Sequence, residues 1–567
     1  MKFNDMPYSR PNAEEALALS KELCGRLTSA TTFDEADAVF SKWHHALTEV
    51  ETYISIALVR HTIDTEDSFY TAEQDYLDES MPIFTEASQN ILLALNNSPF
   101  KQQFIDKYGY LLFKNIEIEL KSFSPIIAEE LAAENKLSSE YDKLIASAQI
   151  DFEGEKRTLS QLSPFKQSAN DEQRNAAWQA DGSFYTANAQ RLDEIYDEMT
   201  KLRDKMARKM GYSNYIELGY YRMSRNSYDA RDVEKFRAAV VKYIVPIADK
   251  LYRKQAERNG FVYPLSYSDA ALTFRSGNPK PFGTPDQILE HGRKFYHELS
   301  PQTAEFIDFM FENELFDVLS RKGKSGGGYC TSFSAYKSPF IFANFNGTSH
   351  DVEVMTHEAG HAFAAYQARN IYPLYNQSPS LESCEVHSMS MEFFAWPWQE
   401  GWFGKDTQKF YYSHLSGALT FIPYGTMVDH FQHIVYENPE MTPEQRHDEW
   451  RKLTSIYMPW IALDGKIPFY SEGKAWQRQS HIYERPFYYI DYCLAQTVAL
   501  QFWALSQDDF TDAWQRYLKF VSFAGTKTFT ELVESAGLDT PFKEDALKAV
   551  SDAAIKWLDS VDASILK

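Results

Sequence analysis

Cysteine, positive charge and long apolar runs are all scarce in this chain, and each shortage removes a class of function. Four cysteines in 567 residues, at 24, 330, 384 and 493, form no CxxC pair and are too scattered for a disulfide framework. A reducing, cytoplasmic setting is expected. No run of about 18 apolar residues occurs, so no membrane-spanning helix is expected. The opening residues, MKFNDMPYSRPNAEEALALS, lack the basic segment, apolar run and small-residue cleavage site of a signal peptide. The formal net charge of −23 leaves no basic surplus for phosphates or anionic lipid, which excludes nucleic-acid and membrane-surface partners. Acidity of this kind otherwise serves solubility.

Strand signals are scarce too, and most of the chain reads as helix. NAEEALALSKELCGRL, TFDEADAVFSKWHHALTEVETYISIALVRHTI and DEIYDEMTKLRDKMARKMG place apolar residues at three-to-four spacing with charges between. His44 and His45 read as polar residues of such a helix. A small hairpin is expected around Gly154, within 150–162. The strongest β signal is GGGYCTSFSAYKSPFIFANFNGTS, 326–349. It carries Pro339, suited to an edge strand, and ends at the turn pair Asn346-Gly347. Its three glycines lack the Lys-Ser/Thr of a phosphate loop and read as a flexible loop. At more than 500 residues the chain exceeds one compact domain. A boundary is placed near 175, with a helical N-terminal lobe at 1–175 and the region that carries chemistry at 176–567.

That chemistry centres on VMTHEAGHAFAAY, 354–366. On a helix, His357 and His361 lie one turn apart on one face, so both imidazoles can reach one tetrahedral ion, with Glu358 beside them as general base. Thr348 and Asp351 would form a capping box before this helix. Chance alone produces HExxH in roughly a few per cent of chains this long, so a third ligand is required. SPSLESCEVHSMSMEFFAWPW, 378–398, offers one. Ser378 would cap that helix, Pro379 would open its first turn and Pro397 would stop it. It carries Glu382, Glu385, His387 and Glu392 among apolar residues, and a buried carboxylate there needs a partner such as a metal ion.

HEAGH, followed 24 residues after its second histidine by the glutamate in ESCEVHSMSMEFF, resembles the thimet oligopeptidase and oligoendopeptidase F family of zinc peptidases. SPFIFANFNGTSHDVEVMTHEAGH is similar to that family as well. The resemblance spans roughly residues 190 to 560, more faintly the N-terminal lobe, and is nearest the bacterial oligoendopeptidase F and Pz-peptidase branch. It implies His357, His361 and Glu385 as ligands of one Zn2+ per chain, and Glu358 as the catalytic glutamate. SHIYERPFYYIDYCLAQTVAL, 480–500, matches where the family has a histidine and tyrosines that donate hydrogen bonds to the reacting carbonyl. The match is His481, Tyr489 and Tyr492. The histidine-to-tyrosine spacing is one residue shorter than in thimet oligopeptidase, so Tyr488 stays a candidate. Read without the resemblance, this cluster is core packing.

The fold implied is mainly α. Two helical lobes flank a deep channel, with a small sheet beside the zinc helix whose edge strand, near 339–346, pairs with the substrate backbone. The activity implied is endopeptidase cleavage of short unstructured peptides, and the Pz-peptidase likeness points to Gly/Pro-containing ones. Glu382 and Glu392 are candidates to support the ligand histidines. Two other readings stand beside it. One is a zinc carboxypeptidase with Arg485 clamping the free C-terminus. The other is a non-catalytic peptide-binding protein, for which Glu358 would have no purpose.

Overall fold

In the computed structural model, which describes residues 1–345 and 348–566, helices carry most of the chain. Contacts divide it into two compact units, each assembled from three stretches. The first takes Met1–Leu120, Lys280–Lys405 and Leu505–Leu538, and the second Lys121–Pro279, Asp406–Ala504 and Asp539–Lys567. The strands are few. A hairpin in the second unit joins β1 (Ile150–Phe152) to β2 (Glu155–Arg157), and a sheet in the first unit holds β3 (Phe316–Leu319), β4 (Tyr329–Phe333) and β5 (Ser338–Phe345).

The first unit opens with the helices Ala13–Ser29, Phe33–Ile63 and Ser68–Asn96. Each starts on a side chain that accepts an otherwise unpaired backbone N–H. Asn12 accepts from Glu15, Thr32 from Glu35, and Asp67 from Phe69 and Tyr70. Their apolar stripes meet in a core that includes Leu23, Phe40, Trp43, Ile91 and Leu95. His44 behaves as a helix polar residue, its Nε2 accepting the Leu374 N–H at 2.8 Å, and His45 is exposed.

In the sheet, β5 lies between β3, to which it is parallel, and β4, to which it is antiparallel. This corrects two expectations. Pro339 is on the central strand, tolerated because pairing with β3 begins only at Ile341. Within 339–345 the strand is central at Ile341 and Phe342, which have partners on both β3 and β4, whereas 339–340 pair with β4 alone and Phe345 with β3 alone. The edge strand on the hairpin side is β4. The Asn346-Gly347 turn lies outside the described residues.

The glycine-rich connection from β3 to β4 is tied down rather than loose. The Lys324 side chain is fully buried beneath it, with Nζ donating to Asp317 Oδ1 at 2.7 Å, to the Leu319 carbonyl at 3.0 Å and to the Ala343 carbonyl. Asn344 Nδ2 donates to the Ser325 and Gly327 carbonyls, both at 2.9 Å. The Ser325 N–H donates to Thr62 at the end of the helix Phe33–Ile63.

In the second unit the hairpin turns at Glu153 and Gly154, both at positive φ (53° and 81°), the pairing a two-residue turn of this hand requires. Its long helices include Asp171–Lys209, Thr407–Glu437 and Tyr489–Asp508. The last two pack closely at Gly425, where a Cβ would strike Cys493 Sγ and come within 3.3 Å of the Tyr489 ring.

Candidate functional site

The HExxH segment is one helix with a change of pitch. His350–Glu353 is α, Val354–Glu358 is a π turn, and Ala359–Ala368 is α again. The Ala359 N–H reaches back to the Val354 carbonyl, five residues earlier. Such a wide turn within an α-helix is uncommon and recurs at functional sites. It falls on His357 and Glu358. The helix starts one residue later than the capping box implied, with Ser349 at its N-cap and Thr348 Oγ1 accepting the His350 N–H at 3.3 Å.

The second helix runs Leu381–Phe394, starting two residues later than expected. Its approach is set elsewhere in the unit: the Ser378 and Asn376 carbonyls are packed on Gly525, where no side chain fits. Pro397 sits in the short turn Trp396–Trp398 that follows.

Gly360, the middle residue of HEAGH, lets these two helices touch. A Cβ there would lie 2.9 Å from Ser388 Cα, 3.0 Å from the His387 carbonyl oxygen and 3.1 Å from Met391 Cβ. The partners are mostly backbone and cannot rotate away. Tyr517, on the helix Phe510–Ser522, fixes the other side by donating to that same His387 carbonyl at 2.8 Å. Gly360→Ala should therefore push the helices apart, at the cost of about 1–3 kcal/mol typical of overpacking. We expect a lower melting temperature and weaker metal retention in a chelator competition. Parent values for both would refute this role.

Close helix packing brings three donors together. One ligand atom each from His357, His361 and Glu385 lies within 4.8 Å of the others. Glu385 Oε2 is 3.6 Å from His357 Nε2 and 3.7 Å from His361 Nε2, so both rings turn the same nitrogen toward one carboxylate oxygen. The rings are 5.1 Å apart and nearly perpendicular, at 82°. The other nitrogen of His357 is occupied: Nδ1 donates to Glu392 Oε1 at 2.6 Å. Of the two candidate supporting carboxylates, Glu392 is thus the one that holds His357. Two imidazoles and one carboxylate facing a common point are a donor set suited to a divalent ion such as zinc.

The electrostatics fit that use. Burial opposes a charge on His357, but hydrogen bonds and charge from Glu385 and Glu392 outweigh it and raise its pKa well above the ordinary value. His361 goes the other way, to about 4, through burial and the neighbouring His357 charge. Two carboxylates around one imidazole favour positive charge at this point, which suits a bound cation. Glu358 is half-buried, and burial raises its pKa. Among the described residues it accepts no hydrogen bond. Burial, with a smaller contribution from the Glu358 charge, raises the pKa of Cys330 on β4.

The histidine–tyrosine group belongs to the second unit. His481 lies in the short helix Ser480–Glu484, and Tyr489 and Tyr492 open the helix Tyr489–Asp508. The His481 ring is 5.7 Å from Tyr488, 5.1 Å from Tyr489 and 6.0 Å from Tyr492. The sequence therefore picked out one real cluster, with Tyr488 inside it. The link between the two helices is anchored by Arg225, which donates to Asp491 Oδ1 at 2.8 Å and to the Phe487 carbonyl. Gln432 accepts the Phe487 N–H at 2.9 Å. Neither Arg225 nor Gln432 carried a sequence signal, because both act through contacts distant along the chain.

Comparison with known proteins gives two family matches: the Peptidase M3 N-terminal domain over residues 3–123, and Peptidase family M3 over 291–552. Among solved structures, one of Pz peptidase A with an inhibitor is 47% identical, covering 99% of this chain and 100% of that one, with a TM-score of 0.92. A 3.1 Å X-ray structure assigned as oligoendopeptidase F is 45% identical over 99% of both chains, also at 0.92. A structure from Bacillus anthracis str. Ames, assigned likewise, is 43% identical over 99% of both chains, at 0.88. No curated protein matches.

Proposed function

Because this chain belongs to peptidase family M3 and is a metalloendopeptidase of the oligoendopeptidase F branch, we propose that it is a zinc-dependent oligoendopeptidase that cuts internal bonds of short, unstructured peptides. The observation that carries the zinc is the convergence of His357, His361 and Glu385 on one point beside Glu358. These three residues would hold the ion, and Glu392 would hold His357 in its ligating tautomer. Bound zinc supplies Lewis acidity, which brings the ionisation of water toward neutral pH and polarises a carbonyl oxygen.

Glu358 takes a proton from the attacking water and delivers it to the departing amine. Burial raises its pKa, which makes it a stronger base than an exposed carboxylate. His481, Tyr489 and Tyr492 donate hydrogen bonds to the carbonyl oxygen as it gains charge. Burial raises the Tyr489 pKa, which keeps its hydroxyl a donor. The peptide lies extended along β4, whose neighbour β5 is paired on both sides. Recognition through the main chain, as in strand addition, would allow many sequences. Gly/Pro-containing peptides are the substrates that the sequence's resemblance to the Pz-peptidase branch implies. No described helix is long and apolar enough to cross a membrane, and all four cysteines are free, which suits a cytoplasmic enzyme.

The test is a mass-spectrometric digest of peptides about 5 to 30 residues long, with and without chelator. Internal cuts, abolished by chelator and restored by zinc, are expected. Stepwise loss from the C-terminus would replace this reading with a carboxypeptidase. No cleavage by zinc-loaded protein would sink it.

A further inference from the structure

The imidazole of His481 is held by a side chain to which the reaction as described gives no part. Tyr424, on the helix Thr407–Glu437, donates its hydroxyl to Gln479 Oε1 at 2.9 Å. Gln479 Nε2 lies 2.9 Å from His481 Nδ1. All three residues lie in the second unit. An amide has one accepting end and one donating end. With Tyr424 on the accepting end, the NH2 faces the ring, and a ring nitrogen that accepts carries no proton. The proton of the neutral imidazole then sits on Nε2.

From this geometry we propose that Gln479, oriented by Tyr424, is a positioning residue that fixes the His481 tautomer so that Nε2 presents an N–H. The proposal rests on the reading of His481 as a donor to the reacting carbonyl, since only a protonated nitrogen can serve there. The surroundings favour a neutral ring. Burial and the Arg485 charge both lower the His481 pKa. The other titratable groups on the ring are tyrosines: Tyr488, just before the following helix, and Tyr489 and Tyr492 within it. Tyr424 also meets the Tyr489 ring edge-on at 5.9 Å, so one helix buttresses two of the three proposed donors.

The test uses the full-length, zinc-loaded enzyme. With 15N-histidine labelling, and His481→Gln to assign the signal, the parent spectrum should show a bare Nδ1 and a protonated Nε2. Gln479→Glu can only accept, so it demands a proton on Nδ1. Once the ring is neutral, Nε2 is then bare. That variant should gain a falling alkaline limb in its kcat profile, with kcat reduced about 10²-fold on the limb, the scale of one lost oxyanion donor, and KM nearly unchanged. In a His481→Ala background the same substitution should cost nothing further. A parent spectrum with the proton on Nδ1 overturns the proposal, whether or not any variant folds. So does a slow His481→Ala enzyme combined with an unaltered Gln479→Glu profile. Full activity in His481→Ala would instead overturn the donor reading on which the proposal rests.

Discussion

Glu358→Gln is expected to keep its metal and its fold while peptide turnover falls by about 10²–10⁴-fold, the range that a positioned acid–base group contributes. The amide matches the carboxylate in shape, and among the described residues Glu358 accepts no hydrogen bond that the change would break. Glu358 is also not one of the three convergent donors. What disappears is the ability to take and return a proton. Metal content by elemental analysis and the unfolding midpoint should match the parent, so the loss would lie in kcat. A fully active Glu358→Gln enzyme would remove the residue from the mechanism.

Glu385→Ala should fail in a different way, by losing the metal. Glu385 is buried, 7% exposed, and its Oε2 faces both ligand nitrogens. Without it two imidazoles remain, too few for a stable site of this kind. Purified variant protein should carry almost no zinc, and activity should return only at high added zinc, if at all. Glu392→Gln supplies the graded comparison. It weakens the bond that orients His357 and leaves all three donors in place, so metal affinity should fall by roughly 10–100-fold with the site still formed. Equal metal content in Glu385→Ala and parent would disqualify Glu385 as a ligand.

Much of this was legible from local pattern. The i, i+4 pair in HEAGH faces one way in the structure, and even the π turn leaves both Nε2 atoms on Glu385. The hairpin at Gly154 and the long helix beginning at Phe33 follow from turn chemistry and periodicity. What escaped depends on partners far along the chain. β3 is four residues long and pairs in parallel across an intervening loop, so nothing nearby announces that β5 will be central. Gly360 looks like a poor helix former until Ser388 is placed against it. Glu385 could be chosen over Glu382 and Glu392 only by resemblance, since all three share the helix and its spacing. The glycine run reads as loose because Lys324, which fills the space beneath it, looks in sequence like any surface lysine.

The assembly of the first unit from three separate stretches also sets an order of events during synthesis. His357, His361 and Glu385 leave the ribosome well before the helix Phe510–Ser522, whose Trp514 stacks on Phe363 and whose Tyr517 holds the His387 carbonyl. Until that helix arrives, the two ligand helices lack one wall of their packing. A nascent chain therefore exposes the three proposed zinc ligands before the packing that brings them together is complete.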